Sequence, residues 1–211
     1  MPVVMGQLDQ TFATEADSAV SLAKSAEDFF IRSLGSYKPI HHTRIEYLYE
    51  LAYLRLFVSW EVFLEAAFLR YLCGHISSKY GAATMAGVPY YKNRKAAETA
   101  MLGGQDYVLW GSTKRALGIV KSHILNGRHE IVIAGSRGFL QNCAFIRNRV
   151  AHGQPDAIQK FNSAAMSLCG RSNFGTRPGR LLRAFDTTVI PNLRWIESLA
   201  RKLKGLASAI V

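Results

Sequence analysis

The sequence predicts an all-α fold, a bundle of about six or seven helices, and three observations carry that expectation. Apolar residues recur with a 3.6-residue rhythm along most of the chain, strand-forming runs are nearly absent, and Gly or Pro punctuates the pattern where helices should stop. Of the 211 residues, 49% are hydrophobic, enough to cover a core, which excludes a wholly disordered chain. There is no repeat, low-complexity tract or Pro-rich linker, so one domain is expected over residues 1–211. It would carry a loop-rich insertion around 74–111 and a basic C-terminal extension from about 170.

The first helix is expected over 8–34, with Phe12, Ala16, Ala19, Ala23, Ala26 and Phe30 on one face and Gly35 as its stop. After Pro39, Thr43 and Glu46 make a capping-box pattern that opens a longer helix running to Cys73, before Gly74. That helix is apolar around much of its circumference and should be central. Between 74 and 111 the glycines predict loops, with one short helix at Arg94–Leu102. Ser112 caps a helix that stops at Asn126-Gly127. Ile131-Val132-Ile133 has strand chemistry but no partner strand, which favours helix. From Ser136, the residues Phe139, Cys143, Ile146 and Val150 step along one helical face that ends near Gly153 and Pro155. A helix over 156–168, a glycine-rich basic loop over 170–179 and a last helix over 180–206, kinked or interrupted by Pro191, complete the expectation.

The formal net charge is +11, and its distribution is uneven. Residues 1–105 carry 10 Lys and Arg against 10 Asp and Glu, whereas residues 106–211 carry 16 against 5. A one-signed field over part of a surface attracts polyanions, and nucleic acid is the leading candidate; the bland reading is a basic surface that serves solubility alone. The apolar stretch from Tyr47 to Cys73 is broken by Glu50, Arg55, Glu61, Glu65 and Arg70, which excludes it as a membrane span. The N-terminus lacks a basic segment followed by an apolar one, so a cytoplasmic location is expected. Cys73, Cys143 and Cys169 are odd in number and widely spaced, and His41, His42, His75, His123 and His129 have no ligand spacing and should sit at the surface. No metal and no cofactor is therefore expected. Trp60, Trp110 and Trp195 read as core or rim residues.

The segment Phe145-Ile146-Arg147-Asn148-Arg149-Val150-Ala151-His152-Gly153 carries the chemistry. An Arg fork can stabilise the extra negative charge of a pentavalent phosphate, and a His can take the proton of a 2′-hydroxyl or give one to a leaving 5′-oxygen. Asn148 can orient the imidazole or hold a phosphate oxygen. In a regular helix five residues rotate by about 140°, so Arg147 and His152 do not share a face, while Asn148 and His152 do. The two converge only at a frayed helix end or in a groove shared with a second copy. On its own, a basic helix terminus ending in His-Gly is equally an ordinary dipole-favoured stop.

Arg147-Asn148-Arg149-Val150-Ala151-His152-Gly153 resembles the signature of the HEPN superfamily, in which an Arg, often followed by Asn, His or Asp, precedes a His by four to six residues at a helix end. The stretch Tyr53 to Glu65, containing Trp60-Glu61, is similar to the long early helix of stand-alone bacterial members. The resemblance implies a helical bundle that dimerises through the motif helix and a metal-independent endoribonuclease of the toxin–antitoxin or phage-defence kind. It further implies an antitoxin or regulatory protein as a partner beside RNA. Arg147, His152 and Asn148 would then be catalytic, leaving 2′,3′-cyclic phosphate and 5′-hydroxyl ends.

Glu61, among apolar neighbours on the central helix, would orient Arg147 or His152, or be a half-exposed helix carboxylate paired elsewhere. Arg149 should point away from Arg147 and serve as a phosphate contact. Arg171, Arg177, Arg180 and Arg183, with Phe174 among them, could grip an RNA backbone and stack a base, or form a merely solvated loop. The alternative function is a non-catalytic helical module that binds nucleic acid or another protein.

Overall fold

The computed structural model describes residues 3–35, 39–87, 89–170, 174–175 and 177–211. The protein is all-α: α1 (Leu8–Ser33), α2 (His42–Leu72), α3 (Arg94–Leu102), α4 (Thr113–His123), α5 (Arg128–Gly135), α6 (Arg137–Ala151), α7 (Pro155–Cys169), α8 (Pro178–Arg183) and α9 (Trp195–Ile210). Two antiparallel pairs accompany them, β1 (Thr84–Met85) with β2 (Ile124–Leu125), and β3 (Phe185–Asp186) with β4 (Leu193–Arg194). No described helix is long and apolar enough to cross a membrane.

Local signals placed most helix ends. Asn93 accepts the Ala96 amide at 2.9 Å and opens α3, and Gly103 closes it in the left-handed conformation at φ 55°. Pro155 opens α7 and Gly170 closes it at φ 68°. The α5 segment is helical, as its lack of a partner strand suggested. Three expectations are corrected. The helix from Ser112 stops at His123, because Ile124 and Leu125 extend to pair with β1, and the turn at Asn126 takes φ 50°. The capping box does not form: α2 starts at His42, the Thr43 amide donates to His41 Nδ1 at 3.3 Å, and Glu46 turns to Arg177.

The last helix is two helices. Between α8 and α9 the chain makes the β3–β4 hairpin around Pro191. Asp186 Oδ1 accepts from the Thr188 amide at 3.0 Å and its hydroxyl at 2.6 Å, a local bond set that competes with helix. Glu197 then accepts the Arg194 amide at 2.9 Å and opens α9.

The residues separate into two compact units, and α1, α2, α6 and α9 contribute to both. The first comprises Met1–Phe12, Trp60–Gln141 and Lys204–Val211. Its core gathers Trp60, Phe63, Phe68, Leu72, Met101, Trp110, Val120 and Ile133. The carbonyls at the end of α9 are satisfied by Arg128 on Ala209, Tyr71 on Ile210 and Ser77 on Val211. The second unit comprises Ala13–Ser59 and Asn142–Leu203. Here Ala16, Ala19, Ala23 and Ala26 make a small-residue face on α1, alongside buried Tyr49, Tyr53, Phe57, Cys143, Ile146, Phe161 and Leu182.

His129 overturns the expectation of a surface histidine. It is 1% exposed, with ring centroids of Phe68, Tyr71 and Trp110 at 5.5, 5.7 and 6.4 Å, and its Nε2 bonds the Leu64 carbonyl at 3.1 Å. An imidazole enclosed by aromatic edges behaves as a flat apolar ring with one polar handle, which position in the sequence alone did not show. Burial outweighs the Leu64 bond and pushes its pKa down from 6.5 to about 4. The unfolded chain therefore takes a proton on this residue before the folded one does. Stability present above pH 6.5 is lost as pH falls to about 4, in total about 3 kcal/mol. Urea unfolding at pH 7 and 4.5 should show most of that loss in the wild type, and His129→Phe should lack it.

Candidate functional site

The motif lies at the C-terminal end of α6, and its surroundings explain the orientation. Cys143 and Ile146 are fully buried, and the Tyr53 hydroxyl donates to the Cys143 carbonyl at 2.9 Å, fixing α6 against α2 within the second unit. Burial pushes the Tyr53 phenol well up, so it stays a donor. With that face inward, Arg147 and Asn148 are half-buried and His152 is exposed. Arg147 Nη1 donates to Asn148 Oδ1 at 3.3 Å, while its Nε is buried with no hydrogen-bond partner among the described residues.

The helix ends at Ala151, one residue before His152. The His152 amide still donates to the Asn148 carbonyl at 2.9 Å, and Arg149 Nη1 donates to the His152 carbonyl at 2.8 Å. Arg149 thus caps the α6 terminus, where the helix dipole favours a cation. Glu61 is half-buried on the part of α2 that belongs to the first unit and has an interaction of its own.

The basic segment forms the second element of the site. A cavity of about 850 Å³ in the second unit is lined by Arg177, Arg180 and Arg183, together with Glu27, His42, Glu46, Phe174, Gly175, Ala184, Phe185 and Arg194. Arg171 lies outside the described residues. Glu27, 8% exposed, is the anchor: Arg183 Nε and Nη2 reach its two oxygens at 2.8 and 2.9 Å, Arg194 Nη2 lies at 3.2 Å, and the Tyr49 hydroxyl donates at 3.2 Å. Burial would raise the Glu27 pKa, but the Arg183 hydrogen bonds and the charges of Arg194 and Arg183 together hold it below the usual carboxylate range. Burial pushes the Tyr49 phenol well above its ordinary value.

Arg177 Nη1 reaches Thr43 Oγ1 at 3.1 Å and Glu46 at 3.4 Å, and the Gly179 amide donates to Glu50 at 2.9 Å. The Glu50 pKa is raised, because burial exceeds the lowering effect of that amide and of the Arg149 charge. Arg180 is exposed and has no ion-pair partner among the described residues. Phe174 is buried, so the ring that reaches the opening is Phe185, 52% exposed, with the Arg194 guanidinium 4.7 Å from its centroid.

Gly179 is required by close approach: a Cβ there would fall against the Glu46 backbone carbonyl. Gly179→Ala should therefore destabilise the protein by about 3 kcal/mol, since rigid backbone cannot yield as a side chain would. Thermal unfolding checks this, and a wild-type Tm would contradict it.

The structure thus brings Arg147, Asn148, Arg149 and His152 together at one helix end, and Arg177, Arg180 and Arg183 around one cavity. Glu27, Phe185 and Arg194 were not singled out from the sequence, and Glu46 and His42 were read there only as a capping residue and a surface histidine. Glu27 had a legible signal, because it follows Ala23 by four residues on the apolar face of α1 and a carboxylate there needs a cation. Arg194 had none, being hidden inside an expected helix. Among the described residues no group of three or more His, Cys, Asp or Glu is arranged to hold a metal ion. The chain matches no protein-family model, no curated protein and no solved structure.

Proposed function

We propose that the protein is a HEPN-type, metal-independent endoribonuclease whose chemistry lies at the end of α6. The observation that supports this most is the pairing of a half-buried Arg147, held by Asn148, with an exposed His152 one residue past the helix end. His152 keeps the helical amide bond to Asn148, so within one chain the two side chains stay about 140° apart around the helix, and a groove shared with a second copy is what would bring an Arg147 and a His152 together.

In this reading Arg147 binds the non-bridging oxygens of the scissile phosphate and stabilises the charge that builds up on them. The 2′-oxygen attacks phosphorus as an imidazole accepts its proton, and the P–O5′ bond breaks as a proton is delivered to the leaving oxygen. One His152 cannot do both at once, so a second copy of the chain, docked through the motif helix, supplies the other. Arg149, Arg177 and Arg180 offer positive charge along the RNA backbone. A toxin–antitoxin or phage-defence setting, with an antitoxin or regulatory partner, follows from the resemblance.

The test is incubation of the purified protein with total cellular RNA in EDTA, followed by analysis of fragment ends. Discrete fragments ending in 2′,3′-cyclic phosphate are expected. Activity abolished by EDTA and restored by Mg²⁺ would overturn the mechanism. The basic cavity favours a second reading, a helical nucleic-acid-binding module without chemistry. RNA bound with a steep salt dependence, yet intact, would establish that reading instead.

A further inference from the structure

The cavity of the second unit holds more positive charge than its own carboxylates neutralise. Four guanidiniums, those of Arg177, Arg180, Arg183 and Arg194, face the carboxylates of Glu27 and Glu46. Both Glu27 oxygens are taken by Arg183, Arg194 and Tyr49, so this carboxylate holds two guanidiniums in place without offering a free acceptor face to an incoming anion. Among the described residues Arg177 engages only through Nη1 and Arg180 makes no ion pair, so these two present open N–H groups to the cavity.

Beside them Phe185 forms an exposed shelf with the Arg194 guanidinium over its ring. The volume, about 850 Å³, lies in the range of small-molecule sites, roughly 300 to 1,000 Å³.

We infer that this cavity is a nucleoside-phosphate site, with phosphate oxygens on Arg177 and Arg180 and the base against Phe185. The surplus of positive charge suits the phosphates of a nucleotide, which carry about −1.5 to −2 at neutral pH even as a single monoester group. Guanidinium forks match phosphate geometry, and an exposed ring beside them suits a base, since every base has a π face. A bare inorganic anion leaves Phe185 unused, and an apolar ligand strands the guanidiniums without partners. The same chemistry can come from a free nucleoside di- or triphosphate or from one nucleotide of a single-stranded RNA. The inference does not depend on cleavage at His152.

Calorimetric titration of the full chain carrying His152→Ala, which keeps oligonucleotides intact, tests it. The probes are ADP, ATP, inorganic pyrophosphate and a 5′-phosphorylated hexaribonucleotide. At least one nucleoside phosphate should saturate one site per chain. Arg180→Ala and Phe185→Ala should each weaken it about tenfold, while pyrophosphate should respond to Arg180→Ala alone. Both side chains are exposed, so the fold should survive, and thermal unfolding verifies that. Tightest binding of ADP or ATP identifies a free nucleotide, and tightest binding of the hexamer identifies a strand; either supports the site. No saturable binding of any nucleoside phosphate, binding indifferent to both substitutions, or pyrophosphate binding as tight as that of ADP would overturn it.

Discussion

His152→Ala is expected to lower the rate of RNA cleavage in EDTA by about 10² to 10⁴, the usual cost of removing a positioned general acid or base. Because His152 is exposed and joins its surroundings through its backbone, the variant should unfold at the wild-type temperature, which separates lost chemistry from lost fold. Arg147 needs a different design. Its Nε is buried, so Arg147→Met, which keeps the packed methylenes, is the cleaner replacement. It should cost about 10² to 10³, and Arg147→Lys should not restore the rate, because an ammonium cannot present two parallel donors to a phosphate. If either variant lost only a factor of about two, well short of these costs, the assignment of the chemistry to the α6 end would be wrong.

The second large effect is structural and centres on Glu27. Glu27→Ala removes the shared acceptor of Arg183, Arg194 and the Tyr49 hydroxyl, leaving two guanidiniums facing each other in a mostly buried setting. Breaking a buried pair costs about 3 to 5 kcal/mol; the Arg183 and Arg194 side chains keep 22% and 21% exposure, which places the expectation near the lower end, about 3 kcal/mol. Urea unfolding measures it. A change under about 0.5 kcal/mol would mean that water replaces the carboxylate without loss.

The pH dependence follows from the same contacts. The Glu27 carboxyl is depressed in the folded protein, so its contribution is complete above the unfolded value of 4.5 and declines as pH falls through the lower folded value. Asp186 and Glu197 are also lowered and carry the same sign. Glu50, whose pKa is raised, acts in the opposite direction and favours the folded state as it takes a proton. Acid unfolding of wild type and Glu27→Ala should therefore differ most above pH 4.5 and converge as the pH falls below it.

Much of the helical architecture was legible because its causes are local. The Arg94–Leu102 helix is bounded by an Asn cap and a left-handed Gly that act within about four residues, and both could be read directly. The face of Phe139, Cys143, Ile146 and Val150 likewise placed α6, and with it Arg147, Asn148 and His152 at a helix end. Segments with two locally acceptable states were not legible. Ile124-Leu125 became a strand because Thr84-Met85 offered it a partner, and the segment after Arg183 became a hairpin because Thr188 bonds the Asp186 carboxylate and Phe185-Asp186 pairs with Leu193-Arg194 across Pro191.

Residue patterning along the chain is enough to set the helical class, most helix ends, the concentration of positive charge after residue 105 and the grouping of Arg177, Arg180 and Arg183. What those arginines bind depends on contacts made far along the chain. Arg183 is bound to Glu27, Arg177 shares Glu46, and Arg180 stands open at a cavity edged by Phe185. Helix periodicity and capping are set by neighbours a few residues away, whereas an ion pair between residues 156 apart depends on how the chain closes on itself.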